Sequence, residues 1–285
     1  MSRIVLGDNQ YGKAETRLVR VERGQDRHDV VDLNVTTTLA GDLAATHLTG
    51  DNSGVLPTDT QKNTVYAFAR DGVGEIEDFA LRLARHFVGT APAIRRARVR
   101  IEQYTWERLA GHSFRRGAGT RTATASCDGE NAWVVSGLAD LVVLNTTGSE
   151  FHGFHKDRYT TLAETTDRIL ATAVTAQWRH AEPRSDDWGT SHAESTRHLL
   201  AAFADTHSLS LQQTLHAMGE RVLTERPEVA EVRLALPNKH HFLVDLAPFG
   251  LDNPGEVFYA ADRPYGLIEG TVLRSGAPEP GLAWW

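Results

Sequence analysis

The chain has 285 residues and a formal net charge of −7 with histidine counted neutral. That balance excludes a general electrostatic pull towards nucleic acid or anionic lipid and leaves room only for a local basic pocket that takes a small anion. Hydrophobic residues make up 41% and charged residues 24%, which excludes a disordered chain and suits one large domain or two of ordinary size. Cys127 is the one cysteine, so there is no intrachain disulfide and no cysteine-rich zinc site, and a small buried thiol in a reducing compartment is expected. The opening "MSRIVLGDNQYGK" lacks the apolar core of a signal peptide, no apolar run is long enough to span a membrane, and the closing "GLAWW" is not a Ser-Lys-Leu address. A cytoplasmic protein is the expectation from these three features.

Along the chain, "TRLVRVER" (16–23) and "DVVDLNVTTTLAG" (29–41) alternate as strands do, joined by a connection of hairpin length. "PTDTQKNTVYAFARDG" (57–72) reads as a helix behind Pro57, and Ile76, Phe79, Ala80, Leu83 and Phe87 recur at helical spacing in a second one over about 74–89. Strands are expected at 96–109, 119–127 and 132–145, with Asp128-Gly129 as a turn. The second half runs through a strand at 171–180, helices over about 188–206 and 211–226, then strands at 230–246 and 255–262. Strand-strand-helix-helix-strand-strand thus occurs twice, as a duplication would produce. Antiparallel sheets with paired helices on one face give an α+β fold, and open sheet edges make an oligomer a structural expectation. The connector 146–168 is long and rich in aromatic, basic and hydroxyl residues, the profile of a functional loop.

Three S/T-x-x-E/Q patterns predict helix starts: Thr58-x-x-Gln61, Thr161-x-x-Glu164 and Ser210-x-x-Gln213. Helix starts offer unpaired N–H groups and a positive dipole end to anionic or acceptor-rich molecules, although any one of them taken alone merely starts a helix. In "PNKHH" (237–241) the two adjacent histidines on a strand face opposite ways and make poor joint metal ligands. No HExxH, paired-cysteine, EF-hand, Rossmann, Walker or G-x-S-x-G pattern accompanies them.

Five segments in order, "YGK" (11–13), "VLPTDTQKNTVYAFA" (55–69), "FHGFHKDRYTTLAETTDRIL" (151–170), "SLQQT" (210–214) and "LPNKHHF" (236–242), together resemble urate oxidase, the uricase family. The resemblance implies tandem tunnelling-fold (T-fold) domains, taken here as 1–128 and 129–285. It also implies a homotetramer around a tunnel or barrel and a cofactor-free, metal-free oxidation of urate by O2. By position, Lys13, Thr58 and His240 match the family's proton relay. Asp59 matches a substrate-contacting backbone, Phe151 a stacking ring, Leu162 an apolar wall and Arg168 the guanidinium clamp. Leu211 and Gln212 match paired backbone and amide contacts, with leucine where the family often has valine, and Asn238 matches the amide that holds oxygen or water. Thr58 and Asp59 are implied to reach a site formed largely by a neighbouring subunit. Outside the resemblance each residue reads more simply: Lys13 as solvated, Arg168 as a helix-surface ion-pair partner, Phe151 as a core or loop aromatic, Asn238 as a turn former. Two other readings remain open on the residues alone: a zinc-dependent, cyclohydrolase-like purine or pterin enzyme, and an inactive binding protein of the same fold.

Overall fold

A computed structural model describes residues 4–261 and 263–285. The chain divides into two compact units. One runs up to Gly137 and takes in Trp178–His192 and Ala277–Trp285; the other comprises Leu138–Gln177 and Ala193–Gly276.

In the first unit, strands β1 (Tyr11–Arg23), β2 (His28–Gly41), β3 (Ile94–Ala110) and β4 (Ser113–Cys127) lie side by side in that order. All three neighbour pairs are antiparallel. A short helix α1 (Ala44–Thr49) precedes α2 (Thr58–Asp71) and α3 (Ile76–Thr90). Helical spacing puts Ile76, Phe79, Leu83 and Phe87 on one stripe of α3, all 0% exposed. That stripe packs on β3 and β4 and joins Leu33, Val35, Val99 and Ile101 in one core. Burying each such side chain contributes about 1.5–3 kcal/mol.

The second unit takes 138–145 of strand β5 (Ala132–Asn145), 170–177 of β6 (Leu170–His180), 193–205 of helix α4 (Trp188–Asp205) and all of helix α5 (Leu211–Glu225), the remaining residues of β5, β6 and α4 counting with the first unit. Then come β7 (Val229–Pro237), β8 (His240–Leu243), β9 (Phe258–Ala261) and β10 (Leu267–Leu273). The sheet order is β5-β6-β7-β10, while β8 and β9 form a separate antiparallel pair. Helix α5 sits tightly on β7 and β10. A Cβ on Gly219 would lie 2.6 Å from Val272, and one on Gly270 would lie 2.8 Å from Leu215, so glycine is what permits this approach.

The α+β class and the repeated strand-strand-helix-helix order agree with the sequence reading, and several boundaries differ for identifiable reasons. Strand β1 starts at Tyr11 rather than 16, because a bulge between Lys13 and Thr16, with Glu15 at φ 55, breaks the alternation that marks a strand. Strands β3 and β4 continue towards a tight turn at Gly111-His112, so 110–118 is mostly strand and not a connector. The expected single strand 230–246 is two. It stops at Pro237, and β8 joins a different sheet. Strand 255–262 shortens to Phe258–Ala261, and Asp262 lies outside the described residues. Helix α1 and strand β10 were not foreseen.

Candidate active site

Most of the singled-out side chains fall in the second unit, around the connector 146–168. This segment holds no helix, so the pattern Thr161-x-x-Glu164 caps nothing. Glu164 instead accepts the Gly153 N–H at 3.2 Å and pairs with Lys156 at 3.0 Å. The connector is closed by side chains acting on its own backbone. Asp167 accepts from the Thr147 hydroxyl and the Gly148 N–H, each at 3.0 Å, and Phe151 exchanges backbone bonds with Thr165 at 2.8 and 3.0 Å. That closure brings Arg168, just before β6, back to the start of the loop. Its Nε donates to Ser149 Oγ at 3.3 Å, and its guanidinium carbon stands 5.1 Å from the Phe151 ring centroid. Phe154 stacks on Phe151 at 5.0 Å. Arg168 is half-buried and forms no ion pair among the described residues; burial alone pulls its pKa down. Leu162 is 56% exposed in the single chain.

The start of α5 is tied to this loop. Ser208 N–H donates to Gly148 C=O at 2.9 Å, and Glu150 N–H donates to Ser208 C=O at 2.7 Å. Ser210 then caps α5, its Oγ accepting from the Gln213 N–H at 3.2 Å, while Gln213 Oε1 accepts from the Leu209 N–H at 2.7 Å. Here the predicted capping box is real, apart from its return bond landing one residue earlier. It orients the first two helical residues, Leu211, which is buried, and Gln212, which is exposed.

Asn238 sits at the break after β7. Its N–H donates to Gly266 C=O at 2.8 Å and it bridges Thr172 of β6. The next residue but one, His240, is half-buried with its ring 5.7 Å from Phe242. Burial first, then the positive charges of Arg168 and His241, hold His240 below its ordinary pKa. Arg168 and His240 therefore share one electrostatic neighbourhood, and the imidazole is biased to its neutral, proton-accepting form. His241 differs: its Nδ1 is engaged with Lys239 C=O at 3.0 Å.

Lys13, Thr58 and Asp59 belong to the first unit. Lys13 lies on β1 at the bulge, and Thr58 and Asp59 are the first two residues of α2, which packs on β1. Pro57 is the N-cap of α2 and no side chain caps it, so Thr58-x-x-Gln61 is not a capping box. The Thr58 side chain does not cap this helix, and Gln61 is buried. Asp59 is held below the usual carboxylate range, chiefly by its bond and charge interaction with Lys62, with Asn63 and the charge of Lys13 adding to it. No local signal in the sequence singles out Ser149, Thr165 and Ser208, small hydroxyl residues whose role depends on what the fold brings against them. Among the described residues, no group of three or more His, Cys, Asp or Glu is placed to hold a metal ion. Cys127 is free and buried, and no helix is long and apolar enough to cross a membrane.

Comparison with known proteins agrees along the whole chain. The family profile described as Uricase matches residues 9–126 and 134–269. A uricase of Arthrobacter globiformis is 52% identical over 99% of this chain and 94% of its own length. One from Dictyostelium discoideum is 38% identical over 95% and 98%. The crystal structure of the Arthrobacter globiformis uricase superposes with a TM-score of 0.95 over 99% of each chain at 53% identity. A urate oxidase structure from Bacillus sp. TB-90, 22% identical with a TM-score of 0.81 over 93% of this chain and 100% of that one, shares the fold. Neither the zinc-dependent nor the inactive alternative gains support from these relatives. With antiparallel sheets, paired helices and this degree of likeness across both halves, the chain belongs to the uricase family.

Proposed function

We propose that this chain is a cofactor-independent urate oxidase, converting urate, O2 and water to 5-hydroxyisourate and hydrogen peroxide. The observation that carries the reading is Arg168: a half-buried guanidinium without an ion-pair partner among the described residues, set over the Phe151 ring. A buried cation without a carboxylate is costly unless an anion arrives to meet it. A guanidinium fork beside an aromatic face suits a flat anion with adjacent acceptors.

Urate is planar, anionic and edged with acceptors. Arg168 binds one edge through two parallel bonds, and Phe151 stacks on the ring. Gln212, with both donor and acceptor, takes an edge that presents both. The start of α5 adds the Leu211 backbone where negative charge sits, and Leu162 closes an apolar side. Removing a further proton from urate raises its electron density and makes the ring itself the reductant of O2. Lys13, Thr58 and His240 carry that proton, the threonine hydroxyl passing it between the two nitrogens; general base work of this kind contributes about 10²–10⁴-fold. A neutral His240 is a competent acceptor. Asn238 holds O2, then the water that adds to the oxidised ring, and the two electrons and two protons lost by substrate and water leave on oxygen as H2O2. In this reading, the tandem domains 1–128 and 129–285 assemble as a cytoplasmic homotetramer, in which Thr58 and Asp59 complete a site formed largely by a neighbouring subunit.

The test is urate turnover by protein dialysed against chelator, with O2 uptake and peroxide measured together. One O2 consumed and one peroxide formed per urate is the expected result. Activity that appears only after adding metal or flavin would overturn the cofactor-free reading.

A further inference from the structure

We infer that Gln61 is a positioning residue for the proton relay: its buried amide locks the strand bulge carrying Lys13 to the helix start carrying Thr58. The inference rests on the relay reading above. Gln61 shares the buried stripe of α2 with Val65 and Ala69, a place for an apolar residue, yet it is 0% exposed. An amide so buried must find partners or destabilise the fold. Gln61 finds them on both sides. Its Oε1 accepts from Thr37 Oγ1 at 2.7 Å, and its Nε2 donates to Leu56 C=O at 3.3 Å.

Each partner leads back to Lys13. The hydroxyl of Thr37, a residue 1% exposed, also accepts the Lys13 backbone N–H at 3.3 Å. The Leu56 C=O also accepts from the Tyr11 hydroxyl at 3.0 Å, and that hydroxyl takes the Leu56 N–H at 2.9 Å. Tyr11 and Lys13 are two residues apart on β1, so the chain of bonds Lys13–Thr37–Gln61–Leu56–Tyr11 closes into a ring. Each side-chain polar atom of Thr37, Gln61 and Tyr11 in it has a partner, and the Leu56 carbonyl accepts twice. The Gln61 N–H meanwhile donates to Pro57 C=O at 3.1 Å, the first helical bond of α2, which sets the turn holding Thr58. At the bulge, side-chain hydroxyls hold the strand: Glu15 N–H goes to Thr36 Oγ1 at 3.0 Å, as Lys13 N–H goes to Thr37. Of these two hydroxyls, Thr37's is the one bonded to α2. The side chain of Gln61 therefore ties the place of Lys13 to the turn that carries Thr58.

The test is Gln61→Met, which keeps length and removes both polar atoms, with Thr37→Val as a second lesion of the same ring should the first fail to fold. Misplacing a catalytic group by about an ångström costs up to about 10²-fold. The expected result is a kcat lowered about ten- to a hundredfold with KM held within about twofold. In a Lys13→Ala background Gln61→Met should leave the residual kcat unchanged. An equal loss with and without Lys13, or an unchanged kcat in the single variant, overturns the inference. Amide exchange at Lys13 and Leu56 reads the lock without urate. Exchange is expected to quicken in either variant, and unchanged protection overturns the lock even if the parent oxidises urate. A parent protein that consumes no urate sinks the relay reading, while the exchange result still decides whether Gln61 fastens the two elements.

Discussion

Replacing Arg168 with lysine separates charge from geometry at the substrate clamp. In the structure the Nε–H of Arg168 is occupied by Ser149 Oγ at 3.3 Å. The remaining guanidinium donors, on the two terminal nitrogens, are those that would grip urate. Lysine keeps the positive charge near Phe151 but offers a point charge in place of a planar fork, and it has no counterpart of the Nε–H that anchors the side chain to Ser149. One of two charge-assisted bonds is then lost, about 1.5–3 kcal/mol, which is about ten- to 150-fold in Kd. The assay is calorimetric Kd for a purine analogue that cannot be oxidised, with thermal melting as a control. Because Ser149 is the hydrogen-bond partner Arg168 has among the described residues, the fold should tolerate the change. A Kd within about threefold of the parent, in a variant that melts normally, would remove Arg168 as a bidentate clamp.

Lys13→Ala and Thr58→Ala should each lower kcat by about 10²–10⁴-fold while leaving analogue Kd nearly unchanged; matched losses in both quantities would argue for binding rather than proton transfer. Ser210→Ala deletes the α5 cap and should cost about 1 kcal/mol in urea denaturation, with a raised KM as Leu211 and Gln212 fray; full retention of both would show that the cap does not organise the site. In the first unit, His192 Nε2 lies 3.2 Å from Gly137 C=O, and among the described residues no carboxylate pairs with it. Burial first and the charge of Arg121 second push it down to about 4, with the Gly137 bond opposing. The folded state thus prefers neutral imidazole. Its contribution is complete above the unfolded pKa of about 6.5 and is lost as pH falls through 4, by about 2 kcal/mol between pH 7 and pH 5. His192→Gln should flatten the pH dependence of stability by about that amount, and a curve superimposable on the parent's would count against the assignment.

Local signals served the sequence reading well where the physics was local. The stripe Ile76, Phe79, Leu83, Phe87 and the cap Ser210-x-x-Gln213 need only neighbours within a few residues, and both formed as expected. Thr58-x-x-Gln61 has the same pattern as the Ser210 box and a different outcome. Pro57 occupies the cap position, and Gln61 is claimed by Thr37, 24 residues away. Thr161-x-x-Glu164 failed for a related reason, since Glu164 is held by Gly153 and Lys156 across its own loop. Neither competitor is visible from the pattern alone. Gln61 did leave one trace: a polar residue on an otherwise apolar helical stripe.

Residue order alone determined the α+β class, the doubled strand-strand-helix-helix plan and, through five spaced segments, the family to which the chain belongs. These follow from periodicity and from motifs that persist as short strings. What only the tertiary structure decided is which side chains stand together: Arg168 against Ser149 and Phe151, Ser208 against Gly148 and Glu150, Gln61 between Thr37 and Leu56. Such contacts join residues far apart in the chain, and a hydrogen bond acts over about 3 Å. Nothing local in the sequence encodes which distant donor will arrive within that distance; packing of the core does.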